Sequence, residues 1–189
     1  MNTKKEIRKE LLKKRNTLAE EQREKYSKLI QERLFFLPEY MDSEIILTYI
    51  SYQSEVSTLE IINHALKEGK KVFCPKVLEA GIMEFYEITS LKVLICGYKN
   101  IPEPQQTDSV FSFSDDNISN TLMIMPVVGY DAKKNRLGYG GGFYDRYIQR
   151  FPQLKRIGLA FECQRYDSLI PYEETDFKPD FIITENNCF

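Results

Sequence analysis

Apolar positions along the chain fall alternately into helical and strand periods. Ile7, Leu11, Leu12 and Leu18 recur at near-helical spacing behind Thr3-Lys4-Lys5-Glu6. That tetrad fits a capping box, with Thr3 as N-cap and Glu6 reaching back, so a first helix is predicted from about Lys4 to Asn16. A second box, Thr17-Leu18-Ala19-Glu20, opens a helix carrying Tyr26, Leu29, Ile30, Leu34 and Leu37 on one face, and Pro38 ends it. Ile45 to Ile50 is rich in β-branched residues and reads as a buried strand. The polar stretch Ser51 to Val56 follows it, at the strand end where ligands collect in α/β folds. Ser57-Thr58-Leu59-Glu60 is a third box, opening a helix to about Glu68 with Gly69 as its stop, and Lys71 to Cys74 is the next strand. Strand, helix, strand in this order predicts one βαβ unit of a parallel sheet.

Met83 to Ile88 alternates, as a half-exposed strand does. Leu91 to Leu94 is either a strand or a short helix, and Asn100 to Pro104 is a proline-set loop. Thr107 to Asn120 is polar and poor in pattern, an irregular connection. Leu122 to Met125 is a buried strand, Tyr144 to Arg150 is helical, and Arg156 to Phe161 and Phe181 to Thr184 are the last two strands. No repeat or linker interrupts the pattern. At 189 residues the chain fits one α/β domain, residues 1–189.

Between the strand at 122–125 and the helix at 144–150 lies Arg136-Leu137-Gly138-Tyr139-Gly140-Gly141-Gly142-Phe143-Tyr144-Asp145-Arg146. Glycine lets the backbone adopt φ > 0 and lets an anion approach the N–H groups. The stretch therefore predicts a phosphate-cradling loop, against the alternative of a turn that serves packing alone. No lysine followed by a hydroxyl residue closes it, so it is not a Walker loop. Phe143 occupies the third glycine of a dinucleotide fingerprint, and about ten residues separate the strand from Gly138. Arg136 can pair with phosphate oxygens in a bidentate way, whereas Arg146 can simply be exposed. Asp145 can hold Mg²⁺ through one carboxylate, or only offset the helix dipole.

Composition narrows the partners. A net charge of −2 with no basic stripe argues against nucleic acid. No apolar run approaches the length of a membrane span, and the charged N-terminus is unlike a signal peptide, so a cytoplasmic protein is expected. The cysteines Cys74, Cys96, Cys163 and Cys188 form no C-x-x-C pair, which disfavours zinc or disulfides. His64 is the only histidine, and it stands on the helix after the first strand, so histidine acid–base chemistry is not expected. Phosphoryl transfer, which depends on positioning and electrostatics, suits this residue set.

Met125 to Asp131, followed by Asn135 to Asp145, resembles the main motif of the 5-formyltetrahydrofolate cyclo-ligase (5,10-methenyltetrahydrofolate synthetase) family. Lys4 to Arg8 is similar to that family's N-terminal nucleotide segment, Ser51 to Ser57 to its substrate loop, and Asp176 to Asp180 to its C-terminal motif. The resemblance implies a three-layer α/β sandwich with a largely parallel central sheet and helices on both faces (NagB/RpiA/CoA transferase-like). It implies a ligase of one-carbon folate metabolism with two small-molecule substrates, 5-formyltetrahydrofolate and ATP, a Mg²⁺ requirement, no nucleic-acid or membrane partner, and a monomer. The formyl oxygen would attack the γ-phosphate, N10 would attack the activated carbon, and phosphate would leave.

Carried onto this chain, Lys4, Lys5, Glu6, Ile7 and Arg8 would bind ATP, with Lys4 and Arg8 on its phosphates. Arg136, Leu137, Gly138, Tyr139, Gly140, Gly141, Gly142, Phe143 and Tyr144 would cradle the triphosphate, Arg136 and Tyr144 acting catalytically. Glu55, Ile50 and the segment Tyr139, Gly140, Gly141, Gly142, Phe143 would hold the folate, and Asp145 and Asp176 the Mg²⁺. Some relatives carry lysine where this chain has Gly141, so another cation must supply that charge. Two rival readings use the same loop differently: a sugar-phosphate isomerase or CoA transferase-like enzyme that hydrolyses no ATP, and a non-catalytic nucleotide- or folate-binding module.

Overall fold

The computed structural model describes residues 2–78, 81–97, 100–106 and 109–189. In chain order the first half runs α1 (Lys4–Asn16), α2 (Glu20–Phe35), α3 (Pro38–Met41), β1 (Ile45–Thr48), α4 (Leu59–Lys67), β2 (Lys71–Val77), β3 (Met83–Ile88), β4 (Leu94–Cys96) and β5 (Pro102–Pro104). The second half runs α5 (Asp115–Ile118), β6 (Thr121–Pro126), β7 (Gly129–Tyr130), β8 (Arg136–Leu137), α6 (Phe143–Gln149), β9 (Lys155–Leu159) and β10 (Phe181–Ile183).

Six strands form one sheet in the order β10-β9-β6-β1-β2-β3, parallel throughout except for the β2–β3 hairpin. All four residues of β1 and all six of β6 are buried, which explains why these strands read as continuous apolar runs. Side chains alternate across β1. Ile46 packs with Ile30 and Leu34 of α2 and with Ile61, Ile62 and Ala65 of α4. Ile45 and Leu47 pack with Tyr147 and Ile148 of α6. Helices therefore cover both faces of a mostly parallel sheet, as the βαβ pattern demands.

The first capping box forms as expected: Thr3 caps α1, accepting from the Glu6 N–H, while Glu6 accepts from the Thr3 N–H at 2.8 Å. The second does not form. Because α1 stays helical to Asn16, Thr17 becomes its C-cap and donates its hydroxyl to the Lys14 carbonyl at 2.7 Å, and α2 starts after Ala19. The third also fails as a box. The Thr58 hydroxyl donates to the Tyr49 carbonyl at 2.7 Å and accepts from the Ser51 N–H at 3.0 Å, so it ties down the loop after β1 rather than capping α4. Residues 91–93 form a single 3₁₀ turn and β4 follows at once. The proline-set stretch is a strand too: Pro102 to Pro104 pairs antiparallel with Cys96 to Leu94 in an isolated two-stranded ladder, where edge positions tolerate proline. The connection expected over Thr107 to Asn120 lies partly outside the described residues, and its described part holds α5.

Candidate functional site

Parallel strands deliver their C-terminal ends to one edge, and a cavity of about 630 Å³ opens there. Tyr49 and Ile50 line it from the end of β1 and Pro126 from the end of β6. Lys4 and Arg8 reach it from α1, and Tyr52, Gln53 and Glu55 from the loop after β1. The run from Arg136 to Asp145, together with Asp176, completes that part of the wall. Arg8, Ile50, Glu55, Asp176 and the glycine loop, far apart in sequence, thus share one chamber.

The glycine loop joins β8 to α6. Gly140 sits at φ 94° and Gly142, the N-cap of α6, at φ 67°, a region that L side chains enter only with strain. Arg8 lies across this loop. Its Nε donates to the Gly138 carbonyl at 2.7 Å, and a Cβ added to Gly140 would stand 3.2 Å from its guanidinium carbon. Arg8 therefore supplies a cation over the loop whose Gly141 brings none. Burial pulls the Arg8 guanidinium down from its ordinary value, but a group that basic keeps its charge.

Arg136 comes from β8 with a side chain only 4% exposed. Its Nη2 donates to Asp145 Oδ1 at 2.8 Å, its guanidinium carbon lies 6.0 Å from the Tyr144 ring centre, and its Nε is buried with no partner among the described residues. Asp145 Oδ1 also accepts from the Phe177 N–H at 3.1 Å. Lys4 Nζ donates to Asp176 Oδ2 at 2.6 Å and meets Glu173 at 2.9 Å, so α1 is pinned to the C-terminal segment. Burial draws the Lys4 ammonium down, but the bonds and charges of Asp176 and Glu173 outweigh it and leave the pKa raised.

Hydrogen bonds to the two aspartates converge on one oxygen each, Oδ1 of Asp145 and Oδ2 of Asp176, which leaves the other oxygen of each available. No group of three or more His, Cys, Asp or Glu able to hold a metal occurs among the described residues. Two carboxylates beside an anion cradle fit Mg²⁺, which binds proteins through one or two carboxylates and takes phosphate and water for the rest.

In the same chamber, Glu55 Oε2 accepts from the Tyr52 N–H at 2.8 Å. Burial raises its pKa, and the Tyr52 N–H, the Tyr139 hydroxyl and the Arg15 charge oppose the rise. The Tyr144 hydroxyl is buried without a partner among the described residues, and burial keeps it well above the usual phenol range.

Three of the expected nucleotide residues do not line the cavity. Lys5 is exposed, Glu6 is engaged in the α1 cap, and Ile7 is buried with Leu11, Leu137 and Ile170. His64 is away from the chamber: its Nδ1 lies 3.0 Å from the Tyr40 hydroxyl and its ring stacks on Phe35. All four cysteines are free. Sequence reasoning missed Arg15, which is 2% exposed and reaches the loops of the site, although its position one turn after Leu11 on the buried face of α1 is a readable signal. Glu103 of β5 also lines the chamber, with the Val77 N–H 3.3 Å and Lys76 Nζ 3.6 Å from its carboxylate, and nothing in its proline-flanked sequence marks it.

Residues 1–185 match the sequence model of the 5-formyltetrahydrofolate cyclo-ligase family. The 5-formyltetrahydrofolate cyclo-ligase of Mus musculus is 30% identical over 98% of this chain and 95% of its own length. That of Escherichia coli K12 is 28% identical over 93% of this chain and 96% of its own. The solved 5,10-methenyltetrahydrofolate synthetase of Aquifex aeolicus superposes with a TM-score of 0.83 at 31% identity, covering 98% of this chain and 91% of that one. That of Mycoplasma pneumoniae, at 24% identity, shares the fold with a TM-score of 0.74 over 96% of this chain and 98% of its own. With this match spanning nearly every residue of the site just described, the chain belongs to the 5-formyltetrahydrofolate cyclo-ligase family.

Proposed function

We propose that the chain catalyses the ATP- and Mg²⁺-dependent closure of 5-formyltetrahydrofolate to 5,10-methenyltetrahydrofolate, with release of ADP and phosphate. The observation that carries this reading is one chamber whose wall brings Lys4, Arg8, Arg136 and the glycine loop together with Glu55 and Ile50. Lys4, Arg8 and Arg136 balance the triphosphate charge, and the N–H groups from Leu137 to Tyr144 follow its oxygens. Glu55 accepts hydrogen bonds from the pterin, and Tyr139 to Phe143 lie where folate and nucleotide meet. The formyl oxygen attacks the γ-phosphorus as N5 donates its lone pair to the formyl carbon, and ADP departs. N10 then attacks that carbon, loses its proton, and the phosphate leaves with its bonding electrons. The Tyr144 hydroxyl and Arg136 Nε, buried without a partner among the described residues, support roles as donors to the oxygen that changes hands. Asp145 and Asp176 would hold Mg²⁺, which when bound supplies charge neutralisation on the phosphates.

Residues 1–189 act in this reading as one domain, monomeric and cytoplasmic. Among the described residues no helix is long and apolar enough to cross a membrane. The test is direct. Mixed with 5-formyltetrahydrofolate, ATP and Mg²⁺, the folded protein should generate the methenyl absorbance and one ADP per product. No product would refute the proposal, and product without ADP would refute its phosphoryl-transfer step.

A further inference from the structure

Arg15 occupies the buried face of α1, one turn after Leu11 and two after Ile7. A charge in that place needs partners. Among the described residues it has two, on two different loops. Its Nε donates to Ser54 Oγ at 2.9 Å, and its Nη2 donates to the Tyr139 hydroxyl at 2.6 Å. Ser54 in turn donates its hydroxyl to Asn16 Oδ1 at 2.5 Å, back on α1. Ser54 precedes Glu55, and Tyr139 belongs to the glycine loop, so one guanidinium joins the loop after β1 to the glycine loop, both of which line the chamber.

The Tyr139 hydroxyl, having accepted from Arg15, still has a proton to give, and Glu55 is the neighbour whose charged form it favours. The other groups facing Glu55 are the Tyr52 N–H and the phenols of Tyr49 and Tyr144, both kept neutral by burial. Among the described residues, the cation whose charge favours the Glu55 carboxylate is Arg15. A lysine could not replace it. The fixed fork of a guanidinium reaches two acceptors at once, whereas an ammonium is a single point.

We propose that Arg15 is a positioning residue for the folate half of the site. Acting through Tyr139 and Ser54, it orients the Glu55 carboxylate as the acceptor for the pterin N–H groups. The proposal rests on the cyclisation reading. It is tested on the full chain with Tyr139→Phe, Arg15→Lys and the double variant. Tyr139 is 50% exposed, so removing its hydroxyl leaves the packing nearly intact and the variant remains interpretable should Arg15→Lys fail to fold.

The expected result for Tyr139→Phe is a KM for 5-formyltetrahydrofolate raised about tenfold, the scale of one hydrogen bond to a charged group, with the KM for ATP changed far less. The acid limb of kcat/KM should also move to higher pH, because Glu55 loses a donor that favours its carboxylate. Arg15→Lys should move both quantities the same way, and the double variant should fall well short of the sum of the singles, since the Arg15–Tyr139 bond is common to both. A Tyr139→Phe enzyme with unchanged folate KM and acid limb, or additive losses in the double variant, overturns the proposal. If the wild-type protein turns nothing over, the cyclisation reading is what fails. Calorimetric titration of 5-formyltetrahydrofolate into wild type and Tyr139→Phe then decides the positioning role, and equal affinities across the acid range would overturn it.

Discussion

Asp145→Asn separates the metal role proposed for this residue from its role as a partner of Arg136. In the wild type, Oδ1 accepts from Arg136 Nη2 at 2.8 Å and from the Phe177 N–H at 3.1 Å. An asparagine oxygen can keep both bonds, so the variant loses charge rather than geometry. Removing one partner of a fully buried ion pair costs about 3–5 kcal/mol. Here the acceptor survives and the carboxylate is already 25% exposed, which brings the loss to about 1–2 kcal/mol. For a chain of this size that lowers the melting midpoint by roughly 2–8 °C. The effect on the metal is of a different kind. One of two carboxylates facing a dication becomes neutral, and a net loss of only about 2 kcal/mol raises the Mg²⁺ concentration needed for half-maximal turnover about thirtyfold. The assay is methenyl absorbance across a Mg²⁺ series, beside a thermal melt of the same sample. An unchanged Mg²⁺ dependence with normal turnover would refute the metal role. A loss of activity that disappears on cooling below the melting transition would show that only stability had changed.

Gly140→Ala should raise the KM for ATP by about tenfold with a small fall in midpoint, because φ 94° strains any Cβ and the methyl stands 3.2 Å from the Arg8 guanidinium. Steady-state kinetics at saturating folate checks it. Glu55→Gln should weaken 5-formyltetrahydrofolate binding yet raise the melting midpoint at neutral pH. Burial raises the folded pKa of Glu55, so its contribution to stability is fully present below the ordinary carboxyl value and lost as pH rises through the folded one. The gain should therefore shrink as melts are run toward acid pH, and a gain that grew there would reverse the sign. Ile62→Ala, in the fully buried face of α4 and away from the chamber, should cost about 3 kcal/mol and roughly 6–12 °C while leaving both KM values alone.

What periodicity can reveal is local. α1 was legible because Ile7 and Leu11 recur at a helical interval behind a capping box, and β1 and β6 because strands buried on both faces are apolar at nearly every position. The ladders of two or three residues were not. Gly129–Tyr130 against Arg136–Leu137 spans less than one pattern repeat, and the proline pair in β5 argues against a strand at all. Competition for hydroxyls misled the capping reading: Thr17 and Thr58 are tied to the Lys14 and Tyr49 carbonyls instead of accepting from the first N–H groups of the helices that follow. The same limit divides the site. The glycine loop is contiguous, so its residue types announce an anion cradle. Its partners are not contiguous. Arg8 meets Gly138 across 130 positions, Arg15 meets Tyr139 across 124, and Lys4 meets Asp176 across 172. Each of these bonds runs from α1, whose exposed charges look in sequence like an ordinary solvated helix face. Only when α1 is laid against the strand ends does that face become the cationic wall of the chamber, and Arg15, alone among its charges, disappear from solvent to hold the two loops together.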